Sequence, residues 1–193
     1  MVYITAMPPG ESLRREHYAG WALLRLGLME LDLCEASVSA GVLMDRALEG
    51  EHGKPYFKGG PEFSISHSRG LIACAVYSVP VGLDLERVRE FSPGLRGKIC
   101  TAGELGLTGG DNSLLTQLWT CKESHMKLTG RGFSQGLLET EFSSLGERPE
   151  LSGDRECCFY SMPITHAGQG FWLTLCSRGP IDFQIRWTDY SVL

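Results

Sequence analysis

Apolar and polar positions along the chain trace a series of short elements. Residues 1–7 alternate weakly and predict a first strand, which the turn Met7-Pro8-Pro9-Gly10 ends. From Glu11 to Met29, apolar residues recur at Leu13, Tyr18, Trp21, Leu24 and Leu28. This is one face of an amphipathic helix, with Arg14, Arg15 and Arg25 at its wet edges. A shorter helix is expected within residues 37–49. His52-Gly53-Lys54-Pro55-Tyr56 reads as a loop, because glycine and proline bracket the lysine. Phe63 to Ser66 alternates, Leu71 to Ser78 reads as a buried strand, and Val81 to Glu86 alternates again; the last two, split by Pro80, are expected to form a hairpin. Residues 92–111 are rich in glycine, with a short helix near Ala102–Leu107. Asn112-Ser113 offers an N-cap for a helix that runs to Leu128 and closes on Gly130. Beyond residue 137 the pattern is strand-like at Leu138–Phe142, Cys157–Ser161 and Phe171–Ser177. The order predicts a mixed α+β fold with antiparallel strands, not a regular βαβ series.

A chain of 193 residues makes one domain, or two small subdomains sharing a core. Lys and Arg number 18 against 23 Asp and Glu, a net charge of −5. Such a chain is a poor general binder of nucleic acid, so any polyanion it takes must meet a local basic cluster. The seven cysteines (34, 74, 100, 121, 157, 158 and 176) form no CxxC pair, and the reading is of reduced thiols in a cytoplasmic protein. The N-terminus lacks a basic segment followed by an apolar core, so no secretory signal is expected. The longest apolar stretch, Leu71 to Tyr77, is too short to span a bilayer.

Four segments carry residues suited to chemistry. In Val81-Gly82-Leu83-Asp84-Leu85-Glu86, strand alternation sends Val81, Leu83 and Leu85 to the core and Asp84 and Glu86 to the other face. Two such carboxylates repel unless a cation sits between them, and a few hard oxygens suit Mg²⁺ shared with a phosphate. An ordinary half-buried strand with its polar face in water accounts for these six residues equally well. In Trp119-Thr120-Cys121-Lys122-Glu123-Ser124-His125-Met126-Lys127, Leu115, Leu118, Trp119 and Met126 mark the buried side of a helix. Glu123 and Lys127 share a face, either as a solvated pair or as a metal ligand or general base beside a phosphate contact. Phe63-Ser64-Ile65-Ser66-His67-Ser68 sets hydroxyls around an imidazole, which can hold a phosphate or can simply satisfy a turn. Gly53-Lys54-Pro55 can aim an ammonium at an anion, or be only a loop; no Walker loop exists in the chain.

Taken in order, Gly-Lys-Pro, Phe-x-x-Ser-His-Ser, Val-Gly-Leu-Asp-Leu-Glu and Trp-Thr-x-Lys-Glu-Ser-x-x-Lys make the stretch from Gly53 to Phe133 resemble the Sfp-type 4′-phosphopantetheinyl transferase family. The resemblance implies transfer of 4′-phosphopantetheine from coenzyme A to a serine of an acyl or peptidyl carrier protein, releasing adenosine 3′,5′-bisphosphate. It implies Mg²⁺ on Asp84, Glu86 and Glu123, with Glu123 as the base and Lys127 on the pyrophosphate. Lys54, Ser66, His67 and Lys127 become the coenzyme A contacts. The implied fold is a pseudodimer of two similar α+β subdomains, residues 1–80 and 81–193, with the metal motif in the second. A monomer is expected, acting on neither nucleic acid nor membrane. The family's basic residues for the adenine side do not align, and Arg14, Arg15 and Arg46 are candidates. A catalytically silent homologue that binds coenzyme A or a carrier domain is the alternative.

Overall fold

A computed structural model describes residues 1–193, the side chains of Phe133 and Gln135 excepted; Phe133, the end of the motif-bearing stretch, thus lies outside the described side chains. In chain order the elements are β1 (Val2–Ala6), α1 (Leu13–Glu30), α2 (Ala40–Arg46), β2 (Leu48–Glu49), β3 (Pro55–Tyr56), β4 (Glu62–Ser68), β5 (Leu71–Tyr77) and β6 (Val81–Arg87). There follow α3 (Pro93–Ile99), α4 (Ala102–Thr108), α5 (Asn112–Thr129), β7 (Phe142–Ser144), β8 (Glu150–Leu151), β9 (Cys157–His166), β10 (Gln169–Arg178) and β11 (Ile185–Trp187). The fold is α+β, and its strand pairs are antiparallel except for β1 with β11.

Two sheets carry the core. One runs β11-β1-β5-β4 and the other β6-β10-β9. Val2, Ile4, Leu71, Ala73 and Ala75 of the first sheet pack against Val81, Leu83, Leu85, Leu173 and Leu175 of the second, all fully buried. Helix α1 covers the outer face of the first sheet through Trp21, Leu24 and Leu28. Helix α5 lies on the second through Leu115, Leu118 and Cys121. The layers are therefore helix, sheet, sheet, helix. Asp84, Glu86 and Thr174 share the sheet face under α5, opposite the Leu83 face.

Several expectations are corrected. Strands β5 and β6 are not a hairpin: β5 pairs with β4 and β1, whereas β6 pairs with β10 in the other sheet. The hairpin is β4–β5, closed by Arg69-Gly70, both at positive φ (52° and 83°), the backbone that matches the twist of a two-residue turn. Leu13 and Tyr18 are exposed, because Glu16, Ala19 and Gly20 occupy the inner face of α1 instead. The cap of α5 is Asp111, whose side chain accepts the Leu114 amide; Gly130 closes the helix in the left-handed conformation as expected. Only Phe142 of the segment 138–142 enters a strand, and within residues 92–111 the expected helix near Ala102–Leu107 is α4, preceded by a further helix, α3.

The region between α4 and α5 holds a fully buried ion pair. Lys122 Nζ donates to Glu104 Oε2 at 2.7 Å and to the Leu137 carbonyl at 2.7 Å. Glu104 also accepts the Thr101 and Phe142 amides, so its carboxylate meets three donors. Lys122, the first lysine of the Trp-Thr-x-Lys-Glu motif, is thus a bolt joining α4, α5 and the chain before β7. Lys122→Ala should cost about 3–5 kcal/mol in urea unfolding, since it strands a buried carboxylate, while Lys122→Met with Glu104→Leu should recover most of that loss. A small effect of Lys122→Ala would deny the pair this role.

Candidate active site

Strand β6 is the edge of its sheet, so its alternate amides face away from β10. They meet β4, the edge of the other sheet, through side chains. Ser64 Oγ accepts the Leu83 amide at 2.9 Å, Ser66 Oγ the Leu85 amide at 3.1 Å, and Ser68 Oγ the Arg87 amide at 3.2 Å. Lys54 extends the same seam by donating to the Val81 carbonyl at 3.1 Å. Two of these hydroxyls then position carboxylates. Ser66 donates to Asp84 Oδ1 and Ser68 to Glu86 Oε2, each at 2.9 Å. The serines of the Phe-x-x-Ser-His-Ser motif therefore hold the acidic strand in place.

Helix α5 supplies the opposing wall, and Gly82 lets it approach. A Cβ on Gly82 would stand 1.9 Å from the Ser124 carbonyl oxygen and 2.3 Å from the Leu128 amide nitrogen. Only a residue with no side chain allows the helix this close to β6. From that helix Lys127 Nζ reaches Asp84 Oδ1 at 2.8 Å and Ser66 Oγ at 3.0 Å. Ser66 Oγ thus accepts from Leu85 and Lys127 and donates to Asp84, using its one proton and two lone pairs.

The acids sense one another. Burial, and next the Asp84 charge, push the Glu123 carboxyl up to about 7, against the pull of Lys127. Burial and then Asp84 also raise Glu86. Asp84 Oδ2 and Glu123 Oε1 are buried with no hydrogen-bond partner in the structure. Desolvated carboxylate oxygens without donors are costly unless a cation meets them. Together with Glu86 they form an all-oxygen donor set that suits a hard divalent ion. The ligand atoms of these three acids do not gather within 4.8 Å of one another; among the described residues only His125, Asp154 and Cys157 do so. The Lys127 ammonium acts on all three acids, and Arg89 adds its charge at Glu86.

Beside this cluster lies a cavity of about 310 Å³ whose walls include Lys54, His67, Glu123 and Lys127, with Trp21, Phe63, Ile65 and Met126 as its apolar part. Ser66, Asp84 and Glu86 stand outside its lining, and so do Arg14, Arg15 and Arg46. Arg15 instead pairs with Glu11 at 2.6 Å on the surface. Burial lowers the pKa of Lys54. His67 is held by Glu16 of α1, whose Oε2 meets His67 Nδ1 at 3.0 Å while Oε1 accepts the Gly70 amide at 2.7 Å. The sequence reading named Trp21 only as a core position and His52 only as part of a loop, and it gave Glu16 and His17 no role. Glu16 left one signal, an acid at a helix position flanked on its inner face by small apolar residues.

A family model described as the 4′-phosphopantetheinyl transferase superfamily matches residues 80–176, the stretch that carries β6, α5 and both acidic motifs. The chain belongs to that superfamily. It is 33% identical over 147 residues to a 4′-phosphopantetheinyl transferase of Bacillus subtilis, covering 69% of this chain and 62% of that protein. It is 34% identical over 91 residues to 4′-phosphopantetheinyl transferase Sfp of Bacillus subtilis strain 168, covering 44% of this chain and 41% of the relative. A Nostoc relative, 4′-phosphopantetheinyl transferase HetI, is 31% identical over 124 residues, covering 54% and 52%. The chain spans less than two thirds of the length of the curated relatives it matches. Within the superfamily match fall Gly82, Asp84, Glu86, Glu123 and Lys127, whereas Lys54, Ser66 and His67 precede it.

Two outcomes follow from the geometry. Gly82→Ala should push α5 off β6, lowering the melting temperature by several degrees and weakening divalent binding measured by calorimetry; an unchanged protein would refute the close-approach argument. With a chelator present, the folded state keeps the Glu123 proton between pH 4.5 and about 7 while the unfolded chain has lost it. The folded state then binds more protons, so stability should fall as pH rises through that window. Glu123→Gln should flatten the slope in thermal unfolding followed across pH, and an equally steep slope in the variant would assign it elsewhere.

Proposed function

We propose that this protein transfers the 4′-phosphopantetheine group of coenzyme A to a serine of an acyl or peptidyl carrier protein, with Mg²⁺, releasing adenosine 3′,5′-bisphosphate. The observation that carries the reading is the pair of partnerless buried oxygens on Asp84 and Glu123, set beside Lys127 at the edge of a cavity with two further basic groups. Asp84, Glu86 and Glu123 would hold the ion, which when bound neutralises and orients the pyrophosphate. In the cavity, Lys54 and His67 meet the phosphates, with Glu16 fixing the imidazole. The apolar wall of Trp21, Phe63, Ile65 and Met126 shelters the less polar parts of the substrate and excludes water. Ser66 serves from behind, by aiming Asp84 and Lys127.

In the reaction the carrier hydroxyl forms a new P–O bond as the pyrophosphate bond to the adenosine bisphosphate breaks. Glu123, at the border of the cavity, takes the hydroxyl proton. Lys127 stabilises the negative charge that builds on the phosphoryl oxygens. The similarity to relatives named 4′-phosphopantetheinyl transferase supports the same assignment.

The halves are proposed to be 1–80 and 81–193, related as a pseudodimer. Their topology supports this. In each, a first strand (β1 or β6) is followed by helices and then by a hairpin (β4–β5 or β9–β10), and the first strand pairs with the second strand of that hairpin. Each half also lays an 18-residue helix on its sheet. The last strand, β11, crosses back to β1. On this reading the protein is a cytoplasmic monomer that acts on neither nucleic acid nor membrane; among the described residues no helix is long and apolar enough to cross a bilayer.

An apo carrier protein incubated with this protein, coenzyme A and Mg²⁺ should gain the mass of one phosphopantetheine. Asp84→Ala and Lys127→Ala should each lower the rate by at least about 10²-fold, as loss of a group acting on transition-state charge does. Transfer by Asp84→Ala at the parent rate would reject the site. Coenzyme A with Mg²⁺ should raise the melting temperature of the parent protein; a shift without transfer would identify a silent binder.

A further inference from the structure

Helix α5 carries a second group of side chains, which the transfer chemistry leaves unused. His125 follows Glu123 by two residues, so the helix turns its ring toward the second sheet, where it packs 6.2 Å from Phe159. There it meets Asp154, from the turn before β9, and Cys157, the first residue of β9. One ligand atom from each of the three lies within 4.8 Å of the others. The turn is built to keep them together: Asp154 Oδ1 accepts the Glu156 amide at 2.9 Å and the Cys157 amide at 3.2 Å, which ties the carboxylate to the cysteine backbone. His125 comes from a helix that Gly82 clamps to β6. Two parts of the fold, α5 and the turn that leads into β9, thus converge here.

We propose that His125, Asp154 and Cys157 form a binding site for a borderline transition-metal ion of the Zn²⁺ class, distinct from the oxygen site of Asp84, Glu86 and Glu123. The donor chemistry separates the two. Imidazole nitrogen, thiolate sulfur and one carboxylate oxygen make a mixed set that zinc accepts, and that Mg²⁺ and Ca²⁺ do not favour. Around a tetrahedral zinc, ligand atoms stand roughly 3.3–3.8 Å apart, so small side-chain rotations close the group on an ion. Three protein ligands leave one position open, and access exists on both sides. A cavity of about 650 Å³ is lined by His125 and Asp154, and another of about 850 Å³ by Asp154 and Cys157.

The neighbours fit this role. Cys157 shares side-chain hydrogen bonds with Cys176, His125 and Asp154, so the three candidate ligands are already in mutual contact. Arg178 is the competing cation, at 3.4 Å from Asp154 Oδ2, but its half-exposed side chain also pairs with Glu156 at 3.5 Å.

The test uses Co²⁺ as the probe, on the full, reduced chain stripped with a chelator, in excess Mg²⁺ so that the oxygen site is already served. One equivalent of Co²⁺ should produce a thiolate-to-cobalt charge-transfer band in the near ultraviolet and the intense visible bands of four-coordinate cobalt. Zn²⁺ should then abolish both. Cys157→Ser should remove the charge-transfer band, and Asp154→Asn, at a surface turn, should weaken Co²⁺ binding by at least about tenfold while circular dichroism stays that of the parent. Asp84→Asn should leave the band intact. A parent protein with no thiolate band, or a band that survives Cys157→Ser in a folded protein, overturns the proposal. If Cys157→Ser fails to fold, undiminished affinity in Asp154→Asn overturns it as well.

Discussion

Three serine hydroxyls on β4 accept the amides that β6 turns away from its own sheet, and the rest of the site depends on that seam. An edge strand with free amides is a liability unless something covers it. Here the cover is a neighbouring strand with side chains short enough for the two edges to close. Each such buried bond contributes about 0.5–1.5 kcal/mol, yet its larger effect is positional. Ser66 and Ser68 also donate to Asp84 and Glu86, so the bonds that join the sheets fix the acids as well. Ser66 alone makes three such bonds, to Asp84, to the Leu85 amide and to Lys127.

Helix α5 works on several fronts because its turn of about 100° per residue sends successive side chains to different surroundings. Lys122 is wholly buried and bonded to Glu104, a structural charge. Glu123 borders the cavity, and Lys127, one turn on, crosses to Asp84. His125 turns to the second sheet and its cysteine. Gly82 admits all of this, since every reach from α5 assumes a helix lying directly on β6.

The balance of charge within the site follows from the same closeness. Three carboxylates face Lys127 in a partly desolvated corner, with Arg89 also acting on Glu86, and Coulomb interactions there are weakly screened. The lysine satisfies Asp84 directly, while Glu123 keeps a raised pKa and an oxygen with no donor.

Periodicity alone determined much of the fold: the lengths of α1 and α5, the glycine stop at Gly130, the alternation that buries Leu83 and Leu85, and the α+β class. Spacing marked Asp84, Glu86, Glu123 and Lys127, because alternation and helical repeat are local rules that hold whatever surrounds them. Pairing lay beyond those rules. Nothing local distinguishes β5 beside β6 from β5 beside β1, and the choice falls to the packing of two apolar sheet faces. The same holds for Ser66 as a strut, for Glu16 behind His67 and for Cys157 beside His125. Each depends on residues far apart in sequence that meet only when the sheets close and α5 settles on Gly82, so tertiary structure alone decided them.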